Sequence, residues 1–87
     1  MTDNKIVLTF IINGQDFAVD DVNIKAPLHV AIHRALKESG NTGRPEEEWE
    51  VRDASGALLE RNRSPQELRL TNGSRLFLSL KVGAGGA

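Results

Sequence analysis

The chain has 87 residues, no cysteine and a formal net charge of −1, which bounds it to one domain and excludes disulfides, thiol catalysis and thiolate metal sites together. Its 39 % apolar and 26 % charged residues make a globular composition, and the near-neutral charge argues against nucleic acid as a partner. A domain of this size buries only about 60–65 % of its unfolded surface, too little to maintain a pocket for a large substrate.

Residues 5–12 (KIVLTFII) are rich in β-branched and aromatic side chains and read as a first strand. Alternation puts Ile6, Leu8, Phe10 and Ile12 on a wholly apolar inward face, and Val7, Thr9 and Ile11 on an outward face broken by a polar residue. The run is too short to span a membrane and has no small-residue cleavage site behind it, so no targeting segment is read here and a cytoplasmic location is expected. Asn13 and Gly14 both tolerate positive φ and predict a tight hairpin turn. The second strand then covers residues 17–24 (FAVDDVNI), with Asp20 and Asp21 marking an irregular or exposed middle.

Pro27 sits where a helix can begin, since a first-turn residue loses nothing by lacking an N–H. Leu28, Ala31, Ile32, Ala35 and Leu36 recur at helical spacing as one apolar stripe, and Gly40 is suited to end it. No good N-cap side chain precedes Pro27. Residues 41–48 read as a loop, and EWEVRD (48–53) alternates with Trp49 and Val51 inward and Glu50 and Arg52 outward. Ser55-Gly56 turns the chain into a short segment, Ala57-Leu58-Leu59, followed by a polar stretch pinned by Leu68 and Leu70. Asn72-Gly73 makes another turn, and RLFLSLKV (75–82) is the last strand, with Leu76, Leu78 and Leu80 inward and Phe77, Ser79 and Lys81 outward. One helix of about twelve residues covering one face of a mixed sheet predicts a single α+β roll.

Side chains with chemical potential mostly have ordinary explanations. His29 and His33 stand four apart on the helix but have no third ligand nearby and share their surroundings with Arg34 and Lys37, so they read as a solvated face. The acidic run at 46–50 reads as a charged lead-in to a strand. Ser55, Ser64 and Ser74 lie beside turns with no base in a relay, which argues against a catalytic triad. Gly83, Gly85 and Gly86 have no helix after them and form no phosphate cradle. Composition leaves these three late glycines unexplained.

This order of elements, followed by a tail with Gly85-Gly86, resembles the ubiquitin-like β-grasp family over essentially the whole chain. Pro45 and acidic residues precede the third strand, Leu58-Leu59-Glu60 stands where the family has a short fourth strand, and Leu70 precedes the turn at Asn72-Gly73. The combination of Trp49-Glu50-Val51-Arg52-Asp53, Leu76-Phe77-Leu78 and Gly83-Ala84-Gly85-Gly86 is more similar still to the bacterial ubiquitin-like modifiers. Those are encoded beside activating-like, conjugating-like and peptidase proteins. The resemblance implies a sheet of four to five strands packed on one helix, with a domain over residues 1–82 and a flexible tail over 83–87.

It also implies that the chain is not an enzyme but the acyl substrate of enzymes. Gly86 would be the reacting residue and Gly85 its steric partner, two glycines being the thinnest arm that can thread a narrow channel. The activating enzyme would use ATP, and the chain itself would need no cofactor. Lys81, Val82, Gly83 and Ala84 would be the residues read when the tail is recognised; ubiquitin carries bulkier and basic residues before its diglycine. Ala87 lies beyond the diglycine, so a peptidase of the same system is expected to cut between Gly86 and Ala87. The implied topology places the last strand centrally and leaves an open face with Val7, Ile11 and Phe77 near Glu50 and Arg52 as the partner-binding face. The partners are then an activating-like enzyme, a conjugating-like enzyme, a processing or deconjugating peptidase and target proteins, with no nucleic acid or membrane. Two other readings stay open: a sulfur carrier whose diglycine end becomes a thiocarboxylate, against which Ala87 tells, and a β-grasp adaptor with an inert tail. Lys5, Lys25, Lys37 and Lys81 could each accept another copy, with nothing to prefer one.

Overall fold

The computed structural model describes residues 4–81. Its elements are strands β1 (Lys5–Ile12) and β2 (Gln15–Asn23), helix α1 (Leu28–Glu38), and strands β3 (Trp49–Arg52) and β4 (Ser74–Leu80). A single 3-10 turn, Glu46–Glu48, lies within the expected loop and leads into β3. The sheet order is β2-β1-β4-β3, with β1 antiparallel to β2, parallel to β4, and β4 antiparallel to β3. A parallel β1–β4 pair needs a long crossover, and α1 lies within that crossover. The apolar stripe of α1 (Leu28, Ala31, Ile32, Ala35, Leu36) packs in one cluster with Leu8, Phe10, Ile12, Val19, Val22, Trp49, Val51, Leu76 and Leu78. The expected α+β roll is therefore present, with four strands.

The hairpin is a two-residue turn in which Asn13 (φ 52°) and Gly14 (φ 79°) both take positive φ, and Ile12 faces Gln15 across it. The second strand consequently begins two residues earlier than alternation suggested. Its irregular middle is a β-bulge. Ile6 pairs with Val22 but Leu8 pairs with Val19, so Asp20 and Asp21 together oppose Val7, and Asp21 takes φ 53°. The extra residue lets Val19 and Val22, three apart in sequence, both point into the core.

Two expectations need correction. Leu58-Leu59-Glu60, expected as a short fourth strand, forms only a single antiparallel bridge, Arg52 to Leu58, with the Leu59 N–H donating to the Val51 carbonyl. Leu58 is 60 % exposed there, because the chain leaves the sheet edge at once. Leu80, expected inward with Leu76 and Leu78, is 39 % exposed. It lies beyond the end of α1, beside Asn13, Gly40, Asn41 and Trp49, where only a loop covers the sheet.

The absent N-cap has a long-range solution. No side chain caps α1 at Pro27; instead the Leu28 and His29 N–H groups donate to the carbonyls of Arg63 (2.8 Å) and Arg61 (3.0 Å). That loop is held by a reciprocal capping box, in which the Ser64 N–H donates to Glu67 Oε1 (3.0 Å) and the Glu67 N–H to Ser64 Oγ (3.2 Å). The Gln66 N–H ties it to the Ile24 carbonyl. The turn it opens closes at Arg69, whose N–H donates to the Gln66 carbonyl while the Leu70 N–H donates to that of Pro65. Helix α1 ends in the same two-bond pattern at Gly40.

Gly40 meets the left-handed requirement (φ 79°) without strain, but Arg69 meets it at φ 60° with a Cβ. We expect Arg69→Gly to raise stability by about 0.5–1 kcal/mol and Gly40→Ala to lower it by about 1 kcal/mol. Both are read as urea midpoints at unchanged slope; a fall for Arg69→Gly contradicts this account of the turn.

Candidate functional site

The face of the sheet away from α1 is organised by register. Asp16 of β2, Ile11 of β1, Phe77 of β4 and Arg52 of β3 are successive partners and form one row across all four strands. Ser79 and Glu50 pair in the next row toward the chain end, and Ala18, Thr9 and Arg75 form the row on the other side. Phe77, at the centre, is 40 % exposed. Ion pairs flank it: Arg52 Nε and Nη2 both donate to Glu50 Oε2 (3.1 and 2.9 Å), and Arg75 Nη1 donates to Asp16 Oδ2 (3.3 Å). Arg52 Nη1 also donates to the Gly56 carbonyl (3.0 Å), which fixes the guanidinium at the edge of the row.

Of the residues assigned to this face from sequence, Ile11, Glu50, Arg52 and Phe77 are thus brought together. Val7 shares the face but lies at its far end, with Thr9 and Arg75 between it and Ile11–Phe77. Its N–H donates to Asn72 Oδ1 and its carbonyl accepts from the Gly73 N–H, both at 2.7 Å, so it borders the Asn72-Gly73 turn.

Lys81 is the last described residue. Its N–H donates to the Glu48 carbonyl (2.8 Å), extending the β3–β4 ladder one step beyond the Trp49–Leu80 pair, so the chain leaves the sheet at the start of β3. Val82, Gly83, Ala84, Gly85, Gly86 and Ala87 lie outside the described residues.

Two further residues shape this region and were not singled out from sequence. Asp53 Oδ1 accepts from Ser55 Oγ (2.6 Å), the Ser55 N–H (2.9 Å) and the Ala57 N–H (3.0 Å), closing the turn behind Arg52. These bonds, the Ser55 hydroxyl foremost, hold its carboxyl below the usual range. The legible signal was Asp before Ala-Ser-Gly, an Asx-turn pattern. Arg61, which caps His29 through its carbonyl, reaches with Nη1 to the Glu46 carbonyl (2.7 Å) and lines an open groove beside β3. Nothing in its local pattern marks it, because both contacts are distant in sequence.

The histidines are exposed, and His33 Nδ1 hydrogen-bonds to Glu46 Oε2. Among the described residues no group of three or more His, Cys, Asp or Glu side chains could hold a metal, and no helix is long and apolar enough to cross a membrane. Ser64 is buried in the capping box.

Two measurements check this geometry. Phe77→Ala should cost about 1 kcal/mol and Leu78→Ala about 3 kcal/mol in urea unfolding, since only Leu78 leaves a core cavity; equal losses would place Phe77 in the core. Asp53→Ala should lower the melting temperature at neutral pH. A depressed carboxyl contributes stability above its unfolded pKa and loses it as pH falls through its folded pKa, so wild type and variant should converge in acid below the usual carboxylate range. A deficit independent of pH contradicts the charged turn.

Residues 1–86 match the family described as "Protein of Unknown function (DUF2604)". An "Uncharacterized protein y4jI" of Sinorhizobium fredii (strain NBRC 101917 / NGR234) is 39 % identical over 83 residues, covering 95 % of this chain and 63 % of that protein, so the chain spans less than two thirds of the relative's length. A de novo design based on ubiquitin superposes with a TM-score of 0.79 at 20 % identity, covering 99 % of this chain and all of the other. A ubiquitin from Caldiarchaeum subterraneum gives 0.73 at 12 % identity over 93 % of this chain and 99 % of that one. The EccD5 ubiquitin-like domain of Mycobacterium xenopi gives 0.65 at 21 % identity over 91 % and 97 %. At these identities the likeness is one of fold, and it agrees with the sheet order and single helix described above. The protein has the ubiquitin-like β-grasp fold and belongs to the DUF2604 family.

Proposed function

We propose that this protein is a ubiquitin-like modifier of the kind encoded in bacterial ubiquitination-like operons. Its Gly86 is exposed by removal of Ala87, adenylated by an activating enzyme and transferred to a conjugating enzyme and a target. The observation that carries this reading is a ubiquitin-like fold whose last strand ends at Leu80, with a following sequence, residues 81–86, that culminates in Gly85-Gly86.

The chemistry asks little of the chain itself. The Gly86 carboxylate attacks the α-phosphorus of ATP and releases pyrophosphate; a thiolate of the carrier enzyme displaces AMP from the acyl-adenylate; an amine or hydroxyl of the target then displaces that thiolate. ATP and thiol belong to the partners, in keeping with a chain that has no cysteine. Gly85 gives the arm its thinness, while Lys81, Val82, Gly83 and Ala84 are what the activating enzyme reads. The row of Ile11, Phe77 and Arg52, with Glu50 beside it and Val7 at its far end, is the partner-binding face, and an exposed aromatic between fixed charges suits an interface anchor. The protein acts in the cytoplasm, where ATP and the partner enzymes meet it.

The test supplies the 1–86 form with ATP and the activating-like enzyme encoded beside it. Attachment to a second protein is expected, with no attachment by a form lacking Gly86 whose melting temperature is unchanged. A gain of one sulfur in mass would instead make it a sulfur carrier, and complete inertness an adaptor.

A further inference from the structure

The two edges of the sheet are finished differently. At the β2 edge, the bulge at Asp20-Asp21 breaks the ladder, and Arg34 Nη1 donates to the Asp20 carbonyl (2.6 Å) while Nη2 donates to Asp20 Oδ1 (3.2 Å). Such an edge is closed to pairing. At the β3 edge, the chain touches the strand only at Leu58 and Leu59 and then swings out through Arg61 and Arg63, leaving an open groove of about 630 Å³ that ends at Lys81.

Charge in this groove is unevenly satisfied. Its acids are all engaged: Glu50 by Arg52 (2.9 Å), Glu60 by Arg63, and Glu67 by the Ser64 N–H (3.0 Å). Its remaining cations have no counter-charge among the described residues. Arg61 bonds only the neutral main-chain oxygen of Glu46, and Lys81 has no ion pair among the described residues. The donors are unsatisfied as well. Trp49 is 6 % exposed, and its indole Nε1–H and Arg61 Nη2 are both buried without an acceptor among the described residues. Buried donors in native proteins nearly always have partners, and guanidinium and indole N–H groups cannot serve as acceptors for one another. A carboxylate supplies both the missing charge and the missing acceptor. At the rim, Leu58 is 60 % exposed and offers an apolar contact beside that charge.

We infer that the groove between β3 and residues 58–63 binds an acidic peptide segment of a partner protein. One carboxylate meets Arg61, Lys81 and the Trp49 indole N–H, and an apolar neighbour packs on Leu58. Trp49 Nε1 and Arg61 Nη2 are both covered, so binding requires the side chains around them to move aside. The site stands on residues 49–81 and does not depend on whether the tail is conjugated.

Trp49 is the single tryptophan, so its emission reports on the groove directly. The full chain is titrated at low ionic strength with a terminally blocked Leu-Glu-Glu-Leu-Glu peptide and with its Leu-Gln-Gln-Leu-Gln counterpart. A saturable emission change is expected for the first, with at least about tenfold weaker binding of the second. Arg61→Gln should weaken the acidic peptide about tenfold, and Lys81→Gln about threefold with a shallower salt dependence. Trp49→Phe keeps the ring packing but removes the N–H, and calorimetry should show weakened binding. Circular dichroism establishes that each variant is folded; if Arg61→Gln is not, Lys81→Gln carries the test, because its side chain supports no other described residue. Absence of a saturable change, equal binding of the glutamine peptide, or unaltered affinity in the folded charge variants overturns the inference.

Discussion

Helix α1 begins at a proline with no side chain to accept its first N–H groups, and the carbonyls of Arg61 and Arg63 take that role from the other half of the chain. Much of the molecule follows from this long-range cap. It holds the segment after β3 against the start of the helix, from which the chain turns at Asn72-Gly73 and enters the sheet between β1 and β3. The capping box of Ser64 and Glu67 and the strained turn at Arg69 stiffen that path. A loop that looks like a polar connector in sequence is thus a second joint between the two halves, beside the parallel β1–β4 ladder.

The central, parallel placement of β4 is what gives the fold its functional character. It lines Phe77 up with Ile11 and Arg52 on the open face while Leu76 and Leu78 fill the core beneath. It also leads the chain off the sheet at Lys81, beside the start of β3. Phe77, the centre of the proposed partner-binding face, and the root of the proposed reactive arm therefore belong to one strand, read on its outer side and at its end. A protein that must be gripped by one enzyme surface while its terminus enters another has use for such an arrangement.

Most of this was legible because it depends on short periods. Alternation in residues 5–12 and 75–78, the helical stripe from Leu28 to Leu36, and positive-φ residues at Asn13-Gly14 and Gly40 are local signals, and the structure follows them. The paired aspartates at 20 and 21 announced an irregularity, though not that a bulge there turns Val19 and Val22 to the same side. What could not be read is the set of contacts between segments. Leu58 fits a strand by composition but bridges at one point only, and Leu80 keeps the strand's alternation past the end of the helix that would have covered it. Arg61 was invisible for the same reason: its carbonyl serves a helix far upstream and its side chain a turn before β3. On the candidate face, the row through Phe77 needed the parallel register of β1 and β4, which no local pattern encodes.

The central claim is that Gly86 becomes the acyl end of a protein conjugate. Trypsin cuts after Lys81, so a modified target should carry residues 82–86 as a branched remnant on its acceptor side chain. Mass spectrometry of tryptic peptides from cells expressing the protein with its neighbouring genes reads this directly. The account predicts target peptides bearing the remnant Val-Gly-Ala-Gly-Gly joined through its last glycine. Finding every copy of the chain unattached and still ending in Ala87, under conditions where activating-like and conjugating-like enzymes are present and active, would contradict it.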